Sequence, residues 1–321
     1  MGASSRQPAL LADIGGTNAR FALLIEGEIT REASLLVAVH AGPREAIEYF
    51  LSFLGEGERP RHAALAFAGP VEDGTAQLTN GAWEVSTAAL RQAFGFGTLR
   101  LINDFAALAW ALPALGPADV IAVGGGEAVA DRPSAVLGPG TGLGVTAFLP
   151  GRAGGQVLTT EGGHVTMAPA DRREAAVLDR LRDDFGHVSA ERVLSGEGLE
   201  NLYGAVIALD GLSAPARRDS EILKRGLAGD CPASVAALDL FCAMLGTVAG
   251  NLALSLGALG GVYIGGGIVP RFMEAFAASR FRERFEAKGR FRDYLARVPT
   301  RVIVHPRPAF LGLRNLIEQG R

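Results

Sequence analysis

The first third of the chain alternates between short apolar runs and apolar residues at helical spacing. Ala9–Ile14 is an apolar run with a single acid, Asp13, near its end, and such runs bounded by turn residues predict strands. Further strands are predicted at the runs Phe21–Ile25, Ser34–Val39, Ala63–Ala68 and Leu99–Ile102. Helices are predicted around Ile47–Leu54, over Thr87–Phe94 after the capping residue Ser86, and over Phe105–Leu112, which Pro113 ends. This alternation predicts an α/β fold with a mixed sheet.

The pattern of the first hairpin recurs about 125 residues later, which indicates a duplicated architecture. Ala135–Leu137 and Leu143–Leu149 are predicted strands, and the turn Gly138–Gly142 joins them. Each half of the chain therefore has a strand, a turn rich in Gly and Thr, and a second strand. The later elements are predicted helices near Arg173–Phe185, Leu199–Leu209, Ser220–Leu227 and Ser234–Leu259, a strand Val262–Ile264, and a helix beginning near Pro270.

Charge and cysteine content exclude several classes of protein. The chain has 31 Lys and Arg against 34 Asp and Glu, a net charge of −3, whereas nucleic-acid-binding domains carry a surplus of basic residues. Two cysteines in 321 residues argue against a disulfide framework or a cysteine-based zinc site. No apolar run of signal-peptide length precedes the first strand, so we expect a cytoplasmic protein.

One segment is long and apolar enough to require a membrane test. No Asp, Glu, Lys or Arg occurs between Leu240 and Pro270, and a spanning helix needs about 20 apolar residues. Gly246 and Gly250 within it could form a membrane-dimer motif. We interpret the segment instead as a core helix whose small residues let neighbouring elements pack closely, with no membrane contact.

Three glycine-rich turns are candidates for phosphate binding. Consecutive N–H groups in a tight turn form a surface of donors, and Thr17 and Thr141 add hydroxyls. The first two turns join strand to strand, whereas a Rossmann turn or a P-loop leads into a helix. Any one of them alone is typical of an ordinary hairpin; together they favour phosphate binding. The candidates are Gly15, Gly16, Thr17 and Asn18, then Gly140, Thr141 and Gly142, then Gly265, Gly266 and Gly267. Asp13 could hold a hydrated Mg²⁺ beside the phosphates.

Polar residues in three other segments have both a structural and a catalytic interpretation. Asn103 and Asp104 stand before an apolar helix, where they could be an N-cap or supply the general base that phosphoryl transfer needs. Glu161 and His164, separated by two glycines, could face one ligand, although His164 alone is more typical of a structural histidine. Glu191 alone is typical of an exposed residue on a surface helix.

Taken together, these segments resemble the bacterial glucokinase family, a branch of the sugar kinase, actin and heat-shock ATPase superfamily. The matching motifs occur in the family's order and cover residues 12 to about 310. They are Ala12-Asp13-Ile14-Gly15-Gly16-Thr17-Asn18-Ala19-Arg20, Leu101-Ile102-Asn103-Asp104-Phe105, Gly140-Thr141-Gly142-Leu143-Gly144-Val145, Glu161-Gly162-Gly163-His164-Val165, His187-Val188-Ser189-Ala190-Glu191-Arg192-Val193-Leu194-Ser195-Gly196 and Gly265-Gly266-Gly267-Ile268-Val269-Pro270-Arg271.

The resemblance implies roles that the residues alone do not. It implies Asp104 as the base for the glucose 6-hydroxyl, and Asn103, Glu161, His164 and Glu191 as partners of the other sugar hydroxyls. It also implies that Gly16-Thr17 and Thr141-Gly142 hold the ATP phosphates and that Gly265–Gly267 hold the adenosine. Glucose 6-phosphate formation at the entry of glycolysis is the implied function.

The implied fold is α/β: a two-lobed ribonuclease-H-like, or actin-like ATPase, fold with a deep interdomain cleft that binds the ligands. We expect a small domain of residues 8–114 plus about 304–321 and a large α+β domain of residues 115–303. The resemblance also implies a homodimer.

Two departures and two alternatives accompany the resemblance. Pro139 removes a backbone donor from the second turn, and Phe310-Leu311-Gly312 is bulkier than the family's usual start of the last helix. A sugar-sensing regulator without catalysis is one alternative, but few residues precede the first strand to hold a DNA-binding helix pair. The other is a kinase with a different hexose or phosphoryl donor.

Overall fold

The computed structural model describes residues 7–152 and 154–319. The N-terminal segment without a signal-like run falls largely on residues 1–6, outside the described residues. The strands are β1 Ala9–Ile14, β2 Asn18–Ile25, β3 Glu28–Leu36, β4 His62–Phe67, β5 Val71–Glu72, β6 Thr75–Gln77, β7 Glu84–Ser86, β8 Thr98–Asn103, β9 Val120–Ala122, β10 Ser134–Pro139, β11 Leu143–Leu149, β12 Gln156–Thr160, β13 Gly261–Ile264 and β14 Thr300–Ile303.

The α-helices are α1 Pro43–Leu51, α2 Thr87–Phe94, α3 Asp104–Ala111, α4 Arg172–Phe185, α5 Gly196–Asp210, α6 Asp219–Ala228, α7 Pro232–Leu256, α8 Met273–Ala277, α9 Phe281–Glu286, α10 Arg292–Ala296 and α11 Pro308–Gln319. Single 3₁₀ turns occur at Val37–Val39, Glu56–Glu58, Leu112–Ala114, Pro117–Asp119, Gly162–His164, Val269–Phe272 and Gly289–Phe291.

The described chain divides into two compact units. Unit 1 comprises residues 7–116, 152, 154–157 and 305–319, and unit 2 comprises residues 117–151 and 158–304. The last helix of the chain therefore belongs to the same unit as the first strand. The functional domain limits expected above remain a prediction.

Unit 1 contains a five-stranded mixed sheet in the order β3-β2-β1-β4-β8. β1 runs antiparallel to β2 and parallel to β4, which is parallel to β8. Alternate residues of β1 face opposite sides: Leu10 and Ile14 join one apolar cluster with α1 and α2, while Leu11 joins another with α11. This alternation is the period of two that a strand imposes, so both faces of the sheet are covered.

Helices α3 and α11 pack so closely that one position between them must be glycine. A Cβ at Gly312 would lie 1.9 Å from the carbonyl oxygen of Ala107, and the Asn315 amide donates to the Trp110 carbonyl at 2.9 Å. Phe310, one of the bulky residues noted in the sequence, is buried against the sheet. The departure from small residues is therefore accommodated in the core of unit 1.

The second sheet repeats the strand order of the first. Its order is β12-β11-β10-β13-β14-β9, and β10 is antiparallel to β11 and parallel to β13, which is parallel to β14. β10, β11, β13 and β14 thus correspond to β1, β2, β4 and β8. The prediction of an α/β fold of the actin-like ATPase type, with a duplicated architecture, is confirmed.

Helix α7 is the centre of the helical layer of unit 2. It is the one segment among the described residues that is long and apolar enough to cross a membrane, and 78% of its most apolar window is buried inside the protein. Cβ atoms at Gly246 and Gly250 would lie 2.2 and 2.5 Å from the carbonyl oxygens of Phe281 and Phe285. The two glycines therefore allow α9 to pack directly on α7, as the core-helix interpretation predicts.

Several predicted bounds were wrong. Strand β10 continues through Gly138 and Pro139, which were assigned to the turn, because Pro139 pairs with Leu143 across the hairpin. The helix predicted at Pro270 begins as a 3₁₀ turn and continues as the short α8. The predicted strand Ser34–Val39 is instead the end of β3 and a 3₁₀ turn.

Candidate functional site

The first glycine turn is a tight hairpin between β1 and β2. The Gly15 N–H donates to the Asn18 carbonyl at 3.0 Å, and the Thr17 carbonyl accepts from the Val37 N–H at 2.9 Å. Gly16 and Thr17 are exposed at the tip. The turn joins strand to strand as predicted, and its tip can present its N–H groups and the Thr17 hydroxyl to an anion.

Asp13 is held by an arginine directly across the hairpin. Asp13 and Arg20 are partners in the β1–β2 register, and the Arg20 Nη1 donates to Asp13 Oδ2 at 3.2 Å. Burial raises the pKa of Asp13, and the Arg20 charge and hydrogen bond offset part of that rise. Sequence reasoning gave Arg20 no role, although counting outward from the turn Gly15–Asn18 places it opposite Asp13.

Asn103, rather than Asp104, is the N-cap of α3. The Asn103 Oδ1 accepts from the N–H groups of Phe105 and Ala106 at 2.9 and 3.4 Å, and its Nδ2 donates to the Gly69 carbonyl at 3.1 Å. An amide has two N–H groups, so one remains for a ligand. Because Asn103 caps α3, the Asp104 side chain is not needed as the N-cap.

Asp104 is the first residue of α3 and a partly buried carboxylate. Its Oδ1 accepts from the Phe105 N–H at 3.0 Å. Burial and then the charge of Asp13 raise the pKa of Asp104 to about 6, against the opposing effect of the Phe105 N–H and the Asn103 amide. A carboxylate with a pKa near the working pH is suited to accept a proton and release it again.

The second glycine turn, Gly140–Gly142, closes the hairpin of β10 and β11 in unit 2. The Gly140 N–H donates to the Gly142 carbonyl at 2.8 Å, and the Gly140 carbonyl accepts from the Gly196 N–H at 2.9 Å. Thr141 is exposed at the tip. Like the first turn, it closes a hairpin and exposes a threonine, but its closing hydrogen bond spans two residues where that of the first turn spans three.

The third glycine turn packs against the end of β10, beside the second. A Cβ at Gly266, whose φ is +79°, would lie 2.3 Å from the Pro139 carbonyl oxygen, and one at Gly138 would lie 2.6 Å from the carbonyl carbon of Gly265. Gly267 is exposed. Glycine is required here both for the positive φ and for the close approach of two backbones. Unit 2 thus brings two of the three candidate turns together.

Glu161, His164 and Glu191 form one polar cluster in unit 2. The His164 Nε2 lies 4.0 Å from Glu161 Oε2, and its Nδ1 lies 3.9 Å from Glu191 Oε1. Glu161 and His164 are exposed, with 74% and 60% of their side-chain areas accessible. The bend at Gly162–His164 directs both side chains to one place, so the structural interpretation of His164 is the less apt one.

Glu191 is not the surface-helix residue that its local sequence suggests. It is half-buried in a turn before α5, and its N–H donates to the Gly163 carbonyl at 2.9 Å. Its Oε2 accepts from the Leu143 N–H, also at 2.9 Å. These contacts come from segments 28 and 48 residues away in sequence, so local sequence could not reveal them.

The first glycine turn offers Mg²⁺ one carboxylate, that of Asp13, and not a full set of protein ligands. Within residues 7–152 and 154–319, no group of three or more His, Cys, Asp and Glu side chains could hold a metal ion. Mg²⁺ usually keeps several waters and takes one or two carboxylates together with substrate phosphates. Asp13, at the base of the first glycine turn, fits that manner of binding.

These features define a phosphotransferase of the actin-like ATPase class. They are two sheets whose corresponding strands have the same order, two hairpins with glycine turns, and a partly buried carboxylate at the start of a helix. The family model described as Glucokinase matches residues 10–320. The chain belongs to the glucokinase family.

Curated and solved relatives agree with this assignment. The chain is 54% identical over 317 residues to a glucokinase of Paramagnetospirillum magneticum, covering 98% of this chain and 99% of that one. A crystal structure of a glucokinase from an Antarctic psychrotroph is 38% identical, with a TM-score of 0.90 over 97% of this chain and 99% of that one. A ROK-family glucokinase from Streptomyces griseus, solved with glucose and AMPPNP, shares the fold at 18% identity and a TM-score of 0.66, over 98% of this chain and all of that one.

Proposed function

We propose that this protein is an ATP-dependent glucokinase, which transfers the γ-phosphoryl group of ATP to the 6-hydroxyl of glucose and releases glucose 6-phosphate and ADP. Membership of the glucokinase family supports the reaction. The observation that carries the chemistry is Asp104, a partly buried carboxylate whose pKa is raised to about 6 at the start of α3. A non-catalytic sugar sensor has no need of such a base.

In this reaction Asp104 accepts the proton of the 6-hydroxyl while the sugar oxygen attacks the γ-phosphorus. The bond between that phosphorus and the bridging oxygen breaks, and ADP leaves with the electron pair. Phosphoryl transfer depends mainly on positioning and on stabilising charge, so one base and a set of phosphate-binding turns are sufficient protein machinery.

We assign the remaining sugar hydroxyls to four polar side chains: Asn103, Glu161, His164 and Glu191. The carboxylates of Glu161 and Glu191 accept hydrogen bonds, and the Asn103 amide retains one N–H to donate. A site built to pair hydroxyls rejects analogues that lack them, because its polar groups would be left without partners. Discrimination among hexoses therefore depends on this set.

We assign the ATP phosphates to the two hairpin turns and the adenosine to the third turn. The phosphate residues are Gly15, Gly16, Thr17, Asn18, Gly140, Thr141 and Gly142, and the adenosine residues are Gly265, Gly266 and Gly267. Asp13 would hold Mg²⁺ through water, and the bound ion would neutralise phosphate charge during transfer. Arg20 orients the Asp13 carboxylate for that task.

The same proposal includes the cell compartment, the assembly and the domains. We propose that the protein works in the cytoplasm as a homodimer and binds neither nucleic acid nor membrane. Its net charge of −3 supports the absence of a nucleic-acid partner. We propose a small domain of residues 8–114 plus about 304–321 and a large domain of residues 115–303.

The test is glucose 6-phosphate formation from glucose, ATP and Mg²⁺, measured for the unaltered protein and for Asp104→Ala. Glucose binding to both proteins is measured by calorimetry. We expect the variant to lose turnover by at least about a hundredfold, the usual contribution of a general base, while it still binds glucose. Glu48→Ala, on the exposed face of α1, is the control and should retain turnover.

Other outcomes would identify the alternatives. Glucose binding without turnover in the unaltered protein would contradict the kinase and favour a sugar sensor. Faster turnover with mannose, or with ADP or polyphosphate as donor, would keep the phosphotransferase and change its substrate.

A further inference from the structure

The two oxygens of the Glu191 carboxylate have different neighbours. Its Oε1 lies 3.9 Å from His164 Nδ1, within the proposed sugar cluster. Its Oε2 accepts a hydrogen bond from the Leu143 N–H at 2.9 Å, and Leu143 directly follows the second glycine turn. The half-buried Glu191 side chain therefore lies next to His164, which is assigned to the sugar, and also binds the end of the turn that is assigned to the nucleotide.

The segment around Glu191 holds both ends of that turn. The Gly140 carbonyl accepts from the Gly196 N–H at 2.9 Å, and the Leu143 N–H donates to Glu191. Ser195 joins the two anchors, since its hydroxyl donates to the Glu191 carbonyl at 2.9 Å and accepts from the Gly198 N–H. The turn is thus fixed to the start of α5 and to the Glu191 carboxylate.

Glycine at two positions makes this contact possible. A Cβ at Gly142 would lie 2.5 Å from Glu191 Oε2, and a Cβ at Gly163 would lie 2.1 Å from the Leu143 carbonyl oxygen. At residue 163 the contact is with backbone, so a side chain there would separate the turn from the Glu191 segment. At residue 142 the Glu191 carboxylate would have to move away and give up its hydrogen bond from the Leu143 N–H. The Glu191 N–H donates to the Gly163 carbonyl, and this hydrogen bond also holds the Glu191 segment against Gly163.

We propose that Glu191 is a positioning residue for the second phosphate-binding turn, in addition to its assignment as a sugar ligand. The inference rests on the proposed function and adds a role to that same site. A carboxylate near bound phosphates repels them, so charge alone would make Glu191 unfavourable for nucleotide binding. Its benefit is that it fixes the turn in advance, so that less ordering accompanies nucleotide binding.

The experiment measures AMPPNP affinity with Mg²⁺ by calorimetry in the absence of glucose. Glu191→Ala should bind about tenfold more weakly, as expected for the loss of one charge-assisted hydrogen bond. Glu191→Gln should stay within about twofold of the unaltered protein, because its amide oxygen can accept the same bond. Glu197→Ala is the matched control: Glu197 is an exposed acid in the first turn of α5 that pairs with Arg192, and this variant should bind AMPPNP with unchanged affinity.

A steric variant tests the same contact from the other side. Gly142→Ala leaves the Glu191 carboxylate in the chain but places a methyl group against it. It should weaken AMPPNP binding at least as much as Glu191→Ala. Unchanged or tighter AMPPNP binding by Glu191→Ala would overturn the proposal, since it would show that charge repulsion outweighs positioning.

Hydrogen exchange separates this proposal from the proposed function. The Leu143 amide should exchange about tenfold or more faster in Glu191→Ala, because its acceptor is gone, and at the unaltered rate in Glu197→Ala. Unaltered Leu143 exchange in Glu191→Ala would overturn the inference whatever the protein binds. If the unaltered protein bound neither glucose nor AMPPNP, the proposed function would fail, yet this measurement would still decide the role of Glu191.

Discussion

Asp13 and Asp104 carry like charges at the same edge of one sheet, and the charge of Asp13 raises the pKa of Asp104. Asp13 lies near the end of β1 and Asp104 directly follows β8, and these two strands flank β4 and run parallel to it. Burial is the larger cause of the raised pKa of Asp104, and the Asp13 charge is the second. Arg20 donates to Asp13 and opposes the effect of burial on the pKa of Asp13.

The first prediction concerns the pH dependence of turnover. Asp104 must be ionised to act as a base, and its pKa is raised to about 6. We therefore expect kcat/KM to be level above about pH 7 and to fall about tenfold per pH unit below about pH 6. Initial rates of glucose 6-phosphate formation under saturating Mg²⁺ test this. Activity that stayed level down to about pH 5 would contradict the assigned pKa or the role of Asp104.

The second prediction concerns the stability of Asp104→Asn. The folded state binds the Asp104 proton more tightly than the unfolded state, so this group's contribution is fully present below about pH 4 and is lost as pH rises through about 6. Asparagine does not ionise, so the variant does not lose this stability as the pH rises. We expect Asp104→Asn to be more stable than the unaltered protein by about 1–3 kcal/mol at pH 8 and equally stable near pH 4. Urea unfolding at both pH values measures the difference in the free energy of unfolding. Equal stability at pH 8 would show that the ionised Asp104 carboxylate does not destabilise the folded state.

The third prediction concerns the close packing of α3 on α11. A methyl group at residue 312 would meet the Ala107 carbonyl oxygen, so Gly312→Ala should lower the free energy of unfolding by about 1–3 kcal/mol. Turnover should also fall, because α3 carries Asp104. Gly204→Ala is the control: it lies in α5 with nothing within 4 Å, and should stabilise the helix by about 0.5–1 kcal/mol. Thermal unfolding of both variants tests the predicted changes in stability, and their rates of glucose 6-phosphate formation test the predicted fall in turnover.

The fourth prediction concerns a buried ion pair in unit 2. The Arg284 Nη2 donates to Glu174 Oε1 at 2.6 Å, and Glu174 is fully buried. Arg284→Met leaves that carboxylate without its charge partner and should cost about 3–5 kcal/mol of stability. Adding Glu174→Gln should recover part of the loss. Arg44→Met, which breaks an exposed pair on α1, should change stability by less than about 1 kcal/mol.

The glycine turns were predictable because local composition determines them. A hairpin turn of Gly and Thr between two apolar runs allows few conformations, and both hairpins form as expected. The place of α3 was also predictable, but not which residue caps it. Asn and Asp are equally good caps, and the choice of Asn103 depends on the Gly69 carbonyl, which lies 34 residues earlier in the chain.

Other parts of the molecule depend on contacts that no local pattern contains. Strands β5, β6 and β7 have two or three residues each, too few to show a period. Helices α8, α9 and α10 are short, so they depend on tertiary packing: α9 packs on α7, and α8 and α10 pack against α9. The local sequence of Glu191 alone suggested a surface helix for the same reason, since the fold brings its partner Leu143 to it.

Segments from both sides of unit 2 in the sequence form unit 1, and this affects the order in which a ribosome can complete it. The apolar face formed by Leu11 and Leu24 is covered in part by Phe310, Leu313 and Ile317 of α11, which are translated after every residue of unit 2. Unit 2 lies between these segments in sequence, so all its residues emerge before that cover exists. During synthesis, that face of the sheet therefore lacks the α11 part of its cover until the whole of unit 2 has been translated, so the packing of unit 1 is completed only after unit 2 has emerged.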